Sequence, residues 1–175
     1  MPTFRTYASL CLTALAVAAC TSVKPPGPTG PSAPAAPPAP AEQRAAASAA
    51  LGAERQWLQS WFKDTPVRIS QRDDGAITVD VPLEFSFDNG RSTVKPALAA
   101  VLDKVAESMR RVPAMRLPML AAPEGAKGGA PLATQRALQV QKHLLNRGVA
   151  AARLGPPTST TAAAVQLRLE AEPPT

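Results

Sequence analysis

Few residues in this 175-residue chain are equipped for chemistry. Its two cysteines are Cys11 and Cys20 and its one histidine is His143, so no cysteine–histidine set exists to hold a metal. His143 falls in the last turns of a helical stretch, where a cation complements the carbonyl end of the helix and needs no catalytic duty to explain it. No serine or cysteine nucleophile has a recognisable setting, and no paired carboxylates stand at the spacing of a general acid and base. Gly125, Gly128 and Gly129 lack the Lys-Ser/Thr ending of a phosphate loop. Asp73-Asp74-Gly75 lacks the later ligands of a calcium loop and reads as a turn. The chain therefore reads as a non-enzyme without metal or cofactor. Two residues keep chemical potential: Cys20, a thiol directly after small residues, and Arg136, which borders an apolar helical stripe beside Val140 and His143. From that border a guanidinium can snorkel into a cleft.

The setting of Cys20 is specific. Arg5 and the amino terminus give a short basic start, and Thr6 to Ala19 is uncharged but too short for a membrane-spanning helix of about 20 residues. Val17-Ala18-Ala19-Cys20 resembles the lipobox of bacterial lipoprotein signal peptides. That resemblance implies that residues 1–19 are a removed signal peptide and that Cys20 becomes the lipidated first residue. Thr21 is not the aspartate that marks inner-membrane retention in proteobacterial lipoproteins. The implied location is the outer membrane, lipid-anchored, with the domain facing the periplasm.

Composition divides the remainder. From Lys24 to Ala41, eight of eighteen residues are proline and most others are small. Such a stretch lacks the apolar bulk to offset chain entropy, so residues 20–41 read as a solvated polyproline-II spacer. At about 3.1 Å per residue the eighteen residues reach roughly 55 Å. Residues 42–175 suffice for one domain with a single core. The net charge of +6 is scattered among few aromatics in an exported chain. This argues against nucleic acid and for cell-wall polymers, anionic headgroups or plain solubility.

Patterning places the elements. Residues 42–63 read as a helix within a 42–66 segment, with Trp57, Leu58, Trp61 and Phe62 on one face that packs on the domain behind it or docks a partner. Val67 and Ile69, the Asp-Asp-Gly turn, and alternating Ile77, Val79, Val81 and Leu83 predict a hairpin, with Pro82 at an edge or the end of pairing. Glu84 to Asp88 continues the alternation with Phe85 and Phe87 on one side. Leu98, Val101, Leu102, Val105, Met109 and Val112 predict a helix capped by Ser92 or Thr93, with Pro96 in its first turn and Pro113 as its stop. Met115, Leu117 and Met119 predict a short strand. Ala121 to Pro131 reads as a loop, Leu132 to Arg147 as a helix ended by Gly148, and Val165, Leu167 and Leu169 as a last strand. The expected class is α+β, with helices on one face of a small mixed sheet.

Three segments resemble the OmpA-like domain found in outer-membrane protein A, peptidoglycan-associated lipoprotein and flagellar stators. Phe85-Ser86-Phe87-Asp88-Asn89, with Pro96 and Leu98 behind it, is similar to the family's F-x-F-D opening. Arg136-Ala137, Val140, Leu144, Gly148-Val149 and then Arg153-Leu154 match the family's R-A-x-x-V-x-x-x-L-x-x-x-G-V helix and exit. The spacing between the two fits without large insertions. The resemblance covers about residues 67–171 and implies an OmpA-like β-α-β-α-β sandwich over 67–172.

It also implies noncovalent binding of peptidoglycan. In the family, a loop aspartate and the arginine of the R-A helix clamp the carboxylate and amine of a diaminopimelate side chain. One group of each charge reads a zwitterion, and the guanidinium grips in bidentate fashion. Arg136 occupies the arginine position. Counting back the family's usual separation lands on Ala121, so the aspartate is missing, and Gly129 and Ala133 also depart from the pattern. Losing one charge-assisted hydrogen bond costs about 1.5–3 kcal/mol. Glu124, three residues further along the loop, and Asp88, facing the cleft by family analogy, are the carboxylates that could substitute. Two roles stay open: an outer-membrane lipoprotein that associates weakly with peptidoglycan, or a degenerate scaffold that binds a protein partner in the envelope.

Overall fold

The computed structural model describes residues 40–125 and 128–172. The signal segment, Cys20 and the spacer as far as residue 39 lie outside the described residues. Helix α1 (Pro40–Trp61) opens on a proline, which tolerates the first helical position because no N–H is needed there. Strands β1 (Arg68–Gln71) and β2 (Ile77–Pro82) form the expected hairpin. Gly75 adopts a φ of 82°, and the Ala76 amide donates to Asp74 Oδ1 at 3.1 Å. After the single turn α2 (Leu83–Ser86) come α3 (Pro96–Arg111), β3 (Met115–Pro123) and α4 (Gly129–Asn146). A 3₁₀ turn (Ala151–Arg153), β4 (Pro157–Thr160) and β5 (Ala164–Ala171) complete the fold. No helix among the described residues is long and apolar enough to cross a membrane.

The five strands lie in the order β1-β2-β5-β3-β4. All neighbours are antiparallel except β3 and β4, so the sheet is mixed as expected. Register explains why one face is dry. Ile77, Val79 and Val81 stand opposite Leu169, Leu167 and Val165, and all six are buried. The alternate positions, Thr78, Asp80, Gln166, Arg168 and Glu170, form the polar other face, where Gln166 Nε2 donates to Asp80 Oδ1 at 3.3 Å. Alternation of period two thus puts the whole apolar set on the side where the helices pack. There Leu98, Val101, Leu102, Val105 and Met109 of α3 and Ala137, Val140 and Leu144 of α4 join the same core.

Helix α1 belongs to this core through Leu51 and Leu58, both buried. Beside them a polar clamp ties it to α3. The Glu54 carboxylate accepts from the Ser108 hydroxyl at 2.7 Å and from Nε and Nη2 of the Arg111 guanidinium at 3.1 and 2.6 Å. The same guanidinium lies 3.6 Å from the Trp57 ring centre, and Lys104 Nζ lies 3.7 Å from that of Trp61. The tryptophan stripe therefore meets cations of its own domain.

Four local expectations are corrected. Glu84 to Asp88 does not continue β2. Ser86 Oγ donates to the Val81 and Pro82 carbonyls and the Phe87 amide donates to Leu83 O, closing a helical turn that exposes Phe85 and buries Phe87. Neither Ser92 nor Thr93 caps α3; Lys95 is its N-cap, without a side-chain bond. Strand β3 runs to Pro123, well into the expected loop, and α4 starts at Gly129 rather than Leu132. Strand β4 stands where no strand is expected, because Pro-Thr-Ser-Thr offers no apolar alternation.

Pro118 breaks the β3–β5 ladder with a register shift between Arg116 and Met119. Gly155 fills the resulting corner. Its amide donates to Leu117 O at 2.7 Å, and a Cβ there would lie 2.0 Å from the Pro118 carbonyl oxygen. Nearby, Arg153 donates to the Met109, Val112 and Met115 carbonyls, closing the end of α3. Gly155→Ala should therefore destabilise the fold by about 2–3 kcal/mol through overpacking against backbone. Gly52→Ala, in open space on α1, should stabilise it by about 0.5–1 kcal/mol. Urea unfolding of the two variants checks both signs; equal midpoints would contradict the packing at Gly155.

Candidate functional site: a cleft floored by a buried arginine

The cleft of interest opens where α2 and the 88–95 connection meet the start of α4. Its volume is about 610 Å³, and Leu83, Glu84, Phe87, Asp88, Lys95 and Arg136 are among the residues lining it. Arg136 lies one full turn beyond Leu132 on α4, on the side of the helix that faces inward. Only 1% of it is exposed, so it does not snorkel to solvent but forms part of the cleft floor.

Its guanidinium is satisfied almost entirely by backbone. Nε donates to Arg91 O at 2.9 Å, and Nη1 to Pro123 O at 2.8 Å and Glu124 O at 3.3 Å. Nη2 reaches only Asp88 O, at 3.4 Å. These four bonds, two of them long, serve five N–H donors. The Phe87 ring centre lies 5.1 Å from Cζ and adds a cation–π contact. Among the described residues no carboxylate side chain pairs with this cation. Burial without a counter-charge pulls the Arg136 pKa below the ordinary arginine value.

Local sequence explains the geometry. Strand β3 ends at Pro123, and Gly125 follows at a φ of 70°, a left-handed conformation that suits glycine. A Cβ at Gly125 would approach Arg136 Nη1 and Leu83 Cδ2 to 3.3 Å each, so the bare glycine lets the loop lie against the guanidinium. On the opposite side Lys95 Nζ donates to Glu84 O at 2.8 Å and pairs with Asp88 Oδ1 at 3.2 Å.

The structure brings together Arg136, Asp88 and Glu124, though not as the family pattern implied. Asp88 and Glu124 meet Arg136 through their carbonyls, not their carboxylates. Ala121 sits inside β3, paired with Thr158 and Gln166, and is buried, so it is a strand residue and not part of a ligand loop. The first loop residue after the strand is Glu124. His143, away from the cleft, meets Asp103 Oδ1 at 2.6 Å, and Arg147 meets the other oxygen at 2.6 Å. Sequence reasoning missed Lys95 and Glu84 at the cleft. The only signal was proximity to the F-x-F-D segment.

Because Arg136 joins the 88–91 connection to the β3 exit, Arg136→Met should cost about 2–3 kcal/mol of stability by leaving carbonyls unpaired. Urea unfolding measures it. An unchanged midpoint would show that these bonds hold nothing together.

No family model matches the chain, and no curated protein matches its sequence. Solved structures do match. A putative MotB-like protein from Desulfovibrio vulgaris superposes with a TM-score of 0.61 at 18% identity, covering 75% of this chain and 98% of that one. The periplasmic domain of Helicobacter pylori MotB superposes with a TM-score of 0.53 at 15% identity, covering 62% of this chain and 82% of that one. At such identities the likeness is one of fold, and the fold of this chain is OmpA-like.

Proposed function

We propose that this chain is a lipoprotein of the outer membrane whose OmpA-like domain associates noncovalently, and weakly, with peptidoglycan. Cys20 carries the lipid and the proline-rich spacer lets the domain reach the wall from the membrane. The observation that carries the reading is the buried Arg136 guanidinium, a cation at the floor of an open cleft with no carboxylate of its own among the described residues. A carboxylate entering the cleft supplies the missing charge and a partner for the under-used Nη2. In a desolvated setting such a charge-assisted bond is short and strong. Diaminopimelate-containing stem peptides present that group free. Likeness to MotB periplasmic domains supports the setting only at the level of fold.

The test is co-sedimentation of the full chain, in mild detergent, with purified sacculi at two salt concentrations. Binding should be released by free meso-diaminopimelate and weakened about tenfold or more by Arg136→Lys, which keeps the charge but loses the fork. Circular dichroism on the variant controls for folding. Sedimentation that ignores diaminopimelate and fades with salt, or no sedimentation, would overturn the reading. The remaining role would then be that of an OmpA-like scaffold contacting an envelope protein.

A further inference from the structure

Arg136 accounts for the carboxylate of a zwitterionic ligand end and leaves its ammonium without a receptor. We infer that Glu84 is that receptor: the cleft takes an amino-acid end with its carboxylate on Arg136 and its ammonium on the Glu84 carboxylate. The inference rests on the peptidoglycan reading above and names a residue that the resemblance did not supply.

The alternatives are weaker on geometry. The Asp88 carboxylate already carries an ammonium, that of Lys95 at 3.2 Å, and Lys95 is held in place by a second bond to the Glu84 carbonyl. A ligand ammonium at Asp88 would have to displace a tethered one. Glu124 turns its carbonyl towards Arg136 and is not among the residues lining the cleft. Glu84 lines it, is exposed, and its carboxylate makes no hydrogen bond or ion pair with any described residue.

Its placement follows from the turn that replaces the expected strand. Ser86 Oγ, bonded to the Val81 and Pro82 carbonyls, winds residues 83–86 into helix, which turns Phe87 into the core and leaves Glu84 at the mouth. Glu84 also borders a second cleft of about 600 Å³ lined by Arg68, Asp80 and Gln166. Among the described residues it is thus the one carboxylate shared by both hollows. A free carboxylate lining the same cleft as a buried guanidinium gives the opposed charges that a zwitterion needs and that a plain anion does not use.

The experiment compares two synthetic stem tripeptides by calorimetry on the full chain in detergent. One ends in meso-diaminopimelate; the other ends in 2-aminopimelate, which keeps the free carboxylate and lacks the free ammonium. The wild type should prefer the first. Glu84→Gln, an exposed and nearly isosteric change, should weaken the first by about tenfold or more and leave the second unchanged, so that the preference disappears. A Glu84→Gln variant that keeps the preference overturns the inference, and Asp88→Asn and Glu124→Gln measured alongside would show which carboxylate holds it. Equal binding of both peptides by the wild type also overturns it while leaving Arg136 its role. Binding of neither peptide overturns the peptidoglycan reading itself.

Discussion

The buried guanidinium of Arg136 is the constraint around which the cleft end of this domain is arranged. A charge taken out of water must find compensation, and here backbone carbonyls of Arg91, Pro123, Glu124 and Asp88 provide it. These carbonyls lie on two connections far apart in sequence, so one side chain fixes the β3 exit against the segment before α3. Carbonyl dipoles solvate a cation but do not neutralise it. The result is a guanidinium tied to two connections by backbone bonds yet paired with no carboxylate among the described residues.

The sheet supplies the frame for that arrangement. Strand β5 sits between β2 and β3 with Val165, Leu167 and Leu169 facing the helices, so the last element of the fold binds its two halves together. The break at Pro118 and the close seat of Gly155 bring β4 alongside β3 in parallel. That pairing carries β3 on through Pro123 and delivers the carbonyls of Pro123 and Glu124 to Arg136.

Elements with strong periodicity were legible in the sequence: the alternation of β2 and β5, the helical stripes of α3 and α4, and the glycine after α4 all stand where the patterns put them. The elements that escaped such reading depend on partners distant in the chain. Strand β4 exists because β3 offers it a ladder, not because Pro157-Thr158-Ser159-Thr160 favours a strand. Phe85 and Phe87 look like one face of a strand until the Ser86 hydroxyl is seen to close a turn. The arginine of the site could be found by motif, but its burial could not, since Arg91 O lies 45 residues away. Counting residues pointed to Ala121 because nothing in Leu-Ala-Ala-Pro shows that pairing with β4 extends the strand.

Helix α1 is held unevenly along its length. Between residues 41 and 50 its side chains are exposed or only half-buried, whereas Leu51, Glu54 and Leu58 are buried in the body of the domain. The firmest hold on the helix is therefore in its second half, at Leu51, Leu58 and the Glu54–Arg111 clamp. That clamp grips Arg111, the last residue of α3, whereas the cleft is lined by Lys95 at the opposite end of the same helix, so the attachment of α1 leaves the mouth of the cleft uncovered.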